Sequence, residues 1–378
     1  MPFPETPALA RRHARIRQAL EVLNLDALIV TCTTNIRYLA NHAGSSGVLV
    51  MTRDAAHLLV DFRYAESVRL MQESPAACPG LRVWDVPASY DEALLACLAE
   101  IGVSSVGFES THVTVSRFDW WHRAVEARRL DLALRPTERV VEQHRMVKDA
   151  AEIATLREAA VRLGPVADAT FAAVRAGVTE RHLAGVLEAA LRAAGYERPA
   201  FDIIVASGPN AALPHHRAGD RVLARGDLLV LDFGGVLDGY CSDLTRTVAV
   251  GPPSLEASRI HSAVYAAQQA AVAAVRPGVD TTSIDTAARD VLRQHGLGEA
   301  FGHGTGHGLG LDIHEEPRIS RQRADVPSLP LQPGMVFTIE PGAYLPGFGG
   351  VRIEDDVLVT ETGCDVLTSV PRDLLVLG

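Results

Sequence analysis

The sequence predicts a mixed α/β protein of two domains: an α/β domain over residues 1–135, and an α+β domain over residues 136–378 that contains an internal duplication. Three observations predict it. The length, 378 residues, exceeds what a single core of ordinary size accommodates. In the first third, short β-rich runs alternate with segments of helical spacing. In the remainder, one set of spaced glycines and acids recurs in the same order.

Taking the first domain in chain order, apolar residues recur at helical spacing from Pro7 to Leu23. β-rich runs follow at Ala27 to Cys32, Gly47 to Met51, His57 to Asp61, Leu81 to Val86 and Ser104 to Phe108. Helical stretches at Asp91 to Glu100 and Ser116 to Arg128 separate some of them. The break between domains is expected at Arg135-Pro136-Thr137, because proline disfavours helix in the residue before it. Asp149 and Glu152 then form a capping-box pattern that opens a helix through Ala160 and beyond.

The duplication lies in the second domain. Arg175 to Val178 and Arg276 to Val279 each precede a helical segment, and the distances Gly177 to Gly195 and Gly278 to Gly296 are both 18 residues. Leu223, Gly226, Asp232 and Gly234 have the spacing of Leu331, Gly334, Glu340 and Gly342. The offset drifts only from 101 to 108. A helix-helix-strand unit repeated once gives two pseudo-symmetric halves, whose matching strands present acids to a common cleft.

Composition narrows the function classes. With 36 Lys plus Arg against 46 Asp plus Glu, a formal charge of −10 and no long basic run, nucleic acid and anionic membranes are not expected partners. The five cysteines are scattered without a CxxC pair and read as reduced. The N-terminal segment shows no secretory signal, and no stretch of eighteen apolar residues runs unbroken, so the expected location is the cytoplasm.

Four acids stand on strand-like segments: Asp232 in LeuLeuValLeuAspPheGly, Asp243 in the returning segment, Glu340 in ValPheThrIleGluProGly, and Glu354 in GlyValArgIleGluAspAsp. Burying an unpaired carboxylate is costly. Two of them about 4 Å apart repel by roughly 4 kcal/mol at an effective dielectric near 20, which cations would have to offset. A neutral ligand is offered by the glycine-rich run Gly302 to His314, with His303, His307 and His314, and another by His215 ahead of the Asp232 strand. One imidazole with four carboxylates oversupplies a single tetrahedral zinc and suits two divalent ions.

On these residues the chain resembles the pita-bread metallopeptidases, the group of aminopeptidase P, prolidase, methionine aminopeptidase and metal-free creatinase, over essentially its whole length. The resemblance implies a creatinase-like N-terminal α/β domain and a pseudo-twofold pita-bread catalytic domain. Asp232, Asp243, His307, Glu340 and Glu354 match the family's five metal ligands in order and spacing. Asp243 and Glu354 would bridge two ions (Mn, Co or Zn), Asp232 would chelate one, and His307 with Glu340 would complete the other. The ions lower the pKa of a water held between them. Glu340 would relay its proton, and His215 and His314 match the histidines that hold the substrate carbonyl and its oxyanion. His303 and Arg352 match supporting positions, Arg352 orienting an acidic ligand.

AsnIleArgTyrLeu (Asn35 to Leu39), GlySerSerGly (Gly44 to Gly47) and AspPheArgTyr (Asp61 to Tyr64) resemble the small bacterial Xaa-Pro peptidases. The implied substrate is a small peptide with proline second, whose imide nitrogen lacks the hydrogen ordinary peptide pockets use. Arg318 resembles a prolidase arginine that meets the free proline carboxylate, which tilts the expectation to Xaa-Pro dipeptides. The alternatives are aminopeptidase P activity on longer Xaa-Pro-Yaa peptides and a non-catalytic peptide- or protein-binding relative. The resemblance also implies a homodimer. His216 is assigned no role, and Tyr38, Asp61, Arg63 and Tyr64 read as packing residues of the first domain.

Overall fold

The computed structural model describes residues 4–322 and 328–378; the remaining residues of the expected domains 1–135 and 136–378 lie outside that description. The chain divides into two compact units, Met1–Arg145 and Met146–Gly378. Among the described residues no helix is long and apolar enough to cross a membrane.

The first unit is α/β, as expected. It contains α1 (Thr6–Val22), β1 (Ala27–Val30), α2 (Thr33–Ala40), β2 (Val48–Thr52), β3 (Ala56–Val60), α3 (Phe62–Gln72), β4 (Leu81–Asp85), α4 (Tyr90–Ile101), β5 (Ser105–Glu109), α5 (Val115–Arg128), β6 (Ala133–Thr137) and α6 (Val140–Arg145). The strands form one mixed sheet in the order β4-β3-β2-β1-β5-β6. Ile29, Val50, Leu59, Leu95, Phe108 and Trp121 share its buried core.

The expected break at Arg135-Pro136 falls inside β6, which pairs parallel with β5. Being an edge strand, β6 tolerates a proline because no further ladder bond is asked of its outer side. The chain then adds α6 before the division at Arg145. Helices α2 and α3 also go beyond the expected elements. Asp61 caps α3, accepting from Arg63 N at 3.0 Å, and its carboxylate takes Arg63 Nε and Nη2 at 2.8 and 2.7 Å. Tyr38 is buried.

The second unit opens with α7 (Ala150–Ala173), where Asp149 and Glu152 make the expected capping box. Next come α8 (Glu180–Ala193), β7 (Arg198–Pro199), β8 (Ile204–Ser207), β9 (Leu228–Phe233), β10 (Gly235–Leu237), β11 (Tyr240–Cys241) and β12 (Leu244–Val250). The second half supplies α9 (Leu255–Ala274), α10 (Thr281–Gln294), β13 (Gly306–Gly308), β14 (Glu315–Ile319), β15 (Val336–Ile339), β16 (Gly342–Leu345), β17 (Gly349–Arg352), β18 (Asp355–Val359), β19 (Cys364–Val366) and β20 (Val376–Leu377).

The duplication is physical. In one half β9 lies between β8 and β12, and in the other β15 lies between β13 and β18, all antiparallel. Gly177 N donates to Leu223 O at 2.9 Å, and Gly278 N donates to Leu331 O at 2.8 Å. Gly226 and Gly334, which open the turns into the acid-bearing strands, have φ of 93° and 90°. An L side chain strains there, which is why glycine recurs at both places. Each half buries its own apolar cluster, with Leu183, Leu187, Leu229 and Leu231 in one and Ile260, Val264, Phe337 and Ile339 in the other.

Candidate metal centre

Each acid of the centre sits where a strand ends or begins. Asp232 is near the end of β9 and Asp243 immediately precedes β12; Glu340 follows β15 and Glu354 precedes β18. His307 is the middle residue of β13, beside β15. Hairpin geometry therefore brings together side chains up to 122 residues apart, Asp232 and Glu354 being the extremes.

One ligand atom each of Asp243, His307 and Glu354 lies within 4.8 Å of the others, and all three residues are buried. His307 Nε2 is 3.7 Å from Asp243 Oδ2 and 3.6 Å from Glu340 Oε1. Asp232 is turned to Arg352, whose Nη2 donates to Oδ2 at 2.5 Å. Glu354 accepts from Thr245 Oγ1 at 2.5 Å.

These groups cannot all be charged without compensation. Burial, then Glu354 and Asp232, pushes the Asp243 carboxyl well above the carboxylate range. Burial, then Glu340 and Asp232, does the same to Glu354. Burial pushes Glu340 up to about 7. Burial pushes the His307 imidazole down to about 3, with His314 adding to the effect, so it stands neutral with a lone pair to give. Asp232 Oδ1 and Asp243 Oδ1 are buried without a hydrogen-bond partner. Clustered carboxylates, orphaned oxygens and a neutral imidazole are the donor set of a divalent-cation site, and the residues fit it.

Three comparisons place the chain among known proteins. Residues 154–361 match the Metallopeptidase family M24, and residues 12–147 match the Creatinase/Prolidase N-terminal domain. The chain belongs to metallopeptidase family M24. It is similar in structure to the Xaa-Pro dipeptidase from Bacillus anthracis, with a TM-score of 0.91 and 36% identity over 98% of this chain and 100% of that one. It is similar to the X-Pro aminopeptidase from Thermotoga maritima MSB8, with a TM-score of 0.85 and 35% identity over 97% and 99% of the two chains. It is 33% identical to the Xaa-Pro dipeptidase of Pyrococcus horikoshii over 96% of this chain and 97% of that one. As an M24 metallopeptidase with the associated N-terminal domain, the protein is a divalent-metal-dependent exopeptidase.

The remaining residues singled out in the sequence of this M24 peptidase line one cleft of about 1130 Å³. His215, His303, His314, Arg318 and Arg352 share its wall with the metal-centre residues. His215, His314 and Arg318 are exposed there, and the His314 ring stands edge-on to His307 with centroids 4.3 Å apart. His303 and Arg352 meet on Tyr344: His303 Nε2 is 2.9 Å from its hydroxyl and Arg352 Nη1 donates to it at 2.8 Å. Burial pushes His303 down to about 4, and the Arg352 charge adds to that. Tyr344 and Thr245 escape sequence reasoning, because both are ordinary strand residues whose roles exist only through contacts with residues distant in sequence.

Proposed function

We propose that this M24 peptidase hydrolyses Xaa-Pro bonds and releases the N-terminal residue, with Xaa-Pro dipeptides as preferred substrates. The reading rests on one observation above all: Asp243, His307 and Glu354 converge, with Glu340 3.6 Å from His307. The names of the similar proteins support the same substrate class.

In this reading Asp232, Asp243, His307, Glu340 and Glu354 would hold two divalent ions, of Mn, Co or Zn type by the mixed carboxylate and imidazole chemistry. When bound, the ions would supply Lewis-acid polarisation and would lower the pKa of a bound water. Glu340, 3.6 Å from His307 in the centre, would carry a proton toward the prolyl nitrogen. His215 and His314, exposed in the cleft, donate to the carbonyl oxygen as it gains charge. Arg352 keeps Asp232 oriented through its 2.5 Å contact.

Free-proline release should appear with manganese, cobalt or zinc and vanish on chelation; a lack of metal-dependent release overturns the reading. Turnover of Xaa-Pro against Xaa-Pro-Yaa separates a dipeptidase from an aminopeptidase.

A further inference from the structure

Glu180, the first residue of α8, is fully buried and lies outside the residues assigned to the centre. Its carboxylate collects five donors from one loop. Oε1 accepts from Ser207 N at 2.9 Å, Ser207 Oγ at 2.7 Å and Asn210 Nδ2 at 3.0 Å. Oε2 pairs with His216 Nε2 at 2.8 Å and accepts from Gly219 N at 3.2 Å. Burial opposes the charge, but these hydrogen bonds keep the carboxyl below its ordinary value.

The loop so gathered, 207–219, is the one that carries His215. Among the described residues His215 has no hydrogen-bond partner, and its ring is exposed in the cleft, so its position is inherited from its neighbours. On one side the Pro214 carbonyl accepts from Arg352 Nη1 at 3.4 Å, the arginine that holds Asp232. On the other side His216 N donates to Leu213 O at 3.1 Å, and its ring is tied to Glu180. The tie to Glu180 is the shorter of the two side-chain anchors that flank His215.

We propose that Glu180, acting through His216, is a positioning residue that holds His215 toward the substrate carbonyl. This rests on the role given to His215 under the proposed function and extends it to two residues outside the metal set. The Glu180 side chain supports five donors, so replacing it risks the fold; His216 is the safer place to test.

In the metal-loaded enzyme, His216→Leu should lower kcat on an Xaa-Pro dipeptide by roughly 10- to 100-fold, the cost of a displacement of about 1 Å. KM and metal content should stay near wild type. His216→Gln, whose amide keeps a donor near the Nε2 position, should recover most of the loss. In the His215→Ala background, His216→Leu should add nothing further. Equal losses with and without His215 would overturn the proposal, since a merely structural role acts whether or not His215 is present. A crystal structure of His216→Leu with the His215 ring unmoved would also overturn it. If the wild type cleaves no Xaa-Pro bond, the functional reading fails, and the His215 position in that structure still decides the positioning claim.

Discussion

Arg246 and Asp355 occupy matching places in the two halves of the catalytic unit, and their side chains pair with each other. Arg246 lies opposite Leu231 on β9 and Asp355 opposite Ile339 on β15; Leu231 and Ile339 are 108 residues apart, the offset that also relates Asp232 to Glu340. Arg246 Nη2 donates to Asp355 Oδ1 at 2.7 Å, with both side chains buried. Asp355 also accepts from Thr368 Oγ1, Gln268 Nε2 and Arg372 Nε, and Arg246 donates to the carbonyl of Glu354. A pair at the pseudo-twofold thus fixes the backbone of a metal-centre acid.

Removing either partner should therefore destabilise the unit, and unequally. Arg246→Met leaves Asp355 with Arg372, Gln268 and Thr368, whereas Asp355→Leu leaves two guanidinium groups without the carboxylate they share. Breaking a buried pair costs about 3–5 kcal/mol, and Asp355→Leu should lie at the upper end. Denaturant unfolding of the cation-free variants measures both. An Arg246→Met loss exceeding that of Asp355→Leu would contradict the argument.

His307→Ala should abolish high-affinity cation binding and leave the fold in place. The imidazole stands neutral among acids, and its Nδ1 lies 3.1 Å from Gly308 O in its own strand. Loss of such a group should cost about 1–2 kcal/mol of stability. Elemental analysis after loading and thermal melting give the two readouts; unchanged metal stoichiometry would remove His307 from the ligand set.

Cation uptake should depend on pH. In the cation-free protein Glu340 is raised to about 7, and Asp243 and Glu354 are raised as well. Such groups contribute stability that is complete below the ordinary carboxyl range and is lost as pH rises through the folded value, near 7 for Glu340. His307 and His303, lowered to about 3 and 4, act oppositely: their contribution is present above 6.5 and is lost as pH falls through those values. Binding cations requires the carboxyls to ionise, so loading near pH 6 should release protons, and apparent affinity should climb as pH rises through about 7. Calorimetry in buffers of different ionisation enthalpy counts the protons; no release at pH 6 would mean that Glu340 is already charged there.

Glycine at 306 is needed for clearance. A Cβ there would lie 1.8 Å from the Thr338 carbonyl oxygen on the neighbouring strand, and Thr338 Oγ1 also holds His307 N at 3.2 Å. Gly306→Ala should cost about 1–3 kcal/mol by overpacking and weaken cation binding by moving His307. Gly302, where a Cβ would meet nothing within 4 Å, is the control: Gly302→Ala should stay within about 0.5 kcal/mol of wild type. Melting curves and metal titration of the two variants check the contrast.

What the sequence made legible follows from local rules. An acid in an apolar run marks Asp232 and Glu340, the capping box marks Asp149, and the paired glycines mark turns that both halves must make. What it concealed depends on contacts between distant segments. Helix α2 is only eight residues long and α3 buries only Val68 and Met71, so neither shows a sustained apolar repeat, and Pro136 reads as a break because only the sheet order reveals an edge strand. The duplication was visible, but Asp243 and Glu354 are 111 residues apart and not 108, since the second hairpin is longer. Glu180, Thr245 and Tyr344 carry no signal along the chain, because each acts on a partner 27 or more residues away in one case, 109 in another and 41 in the third.

Arg318 offers the sharpest test of substrate length. It is exposed on β14 in the cleft, close enough for its charge to act on His307, His314 and Glu340. A free proline carboxylate reaching that guanidinium would gain a charge-assisted hydrogen bond of about 1.5–3 kcal/mol. Arg318→Gln should then raise KM for an Xaa-Pro dipeptide by roughly 10- to 100-fold with kcat little changed. An Xaa-Pro-Yaa peptide, whose carboxylate lies one residue further on, should lose much less. Equal losses on both would show that Arg318 serves the chemistry common to them, through its charge on the centre, and that the preference for dipeptides has another source.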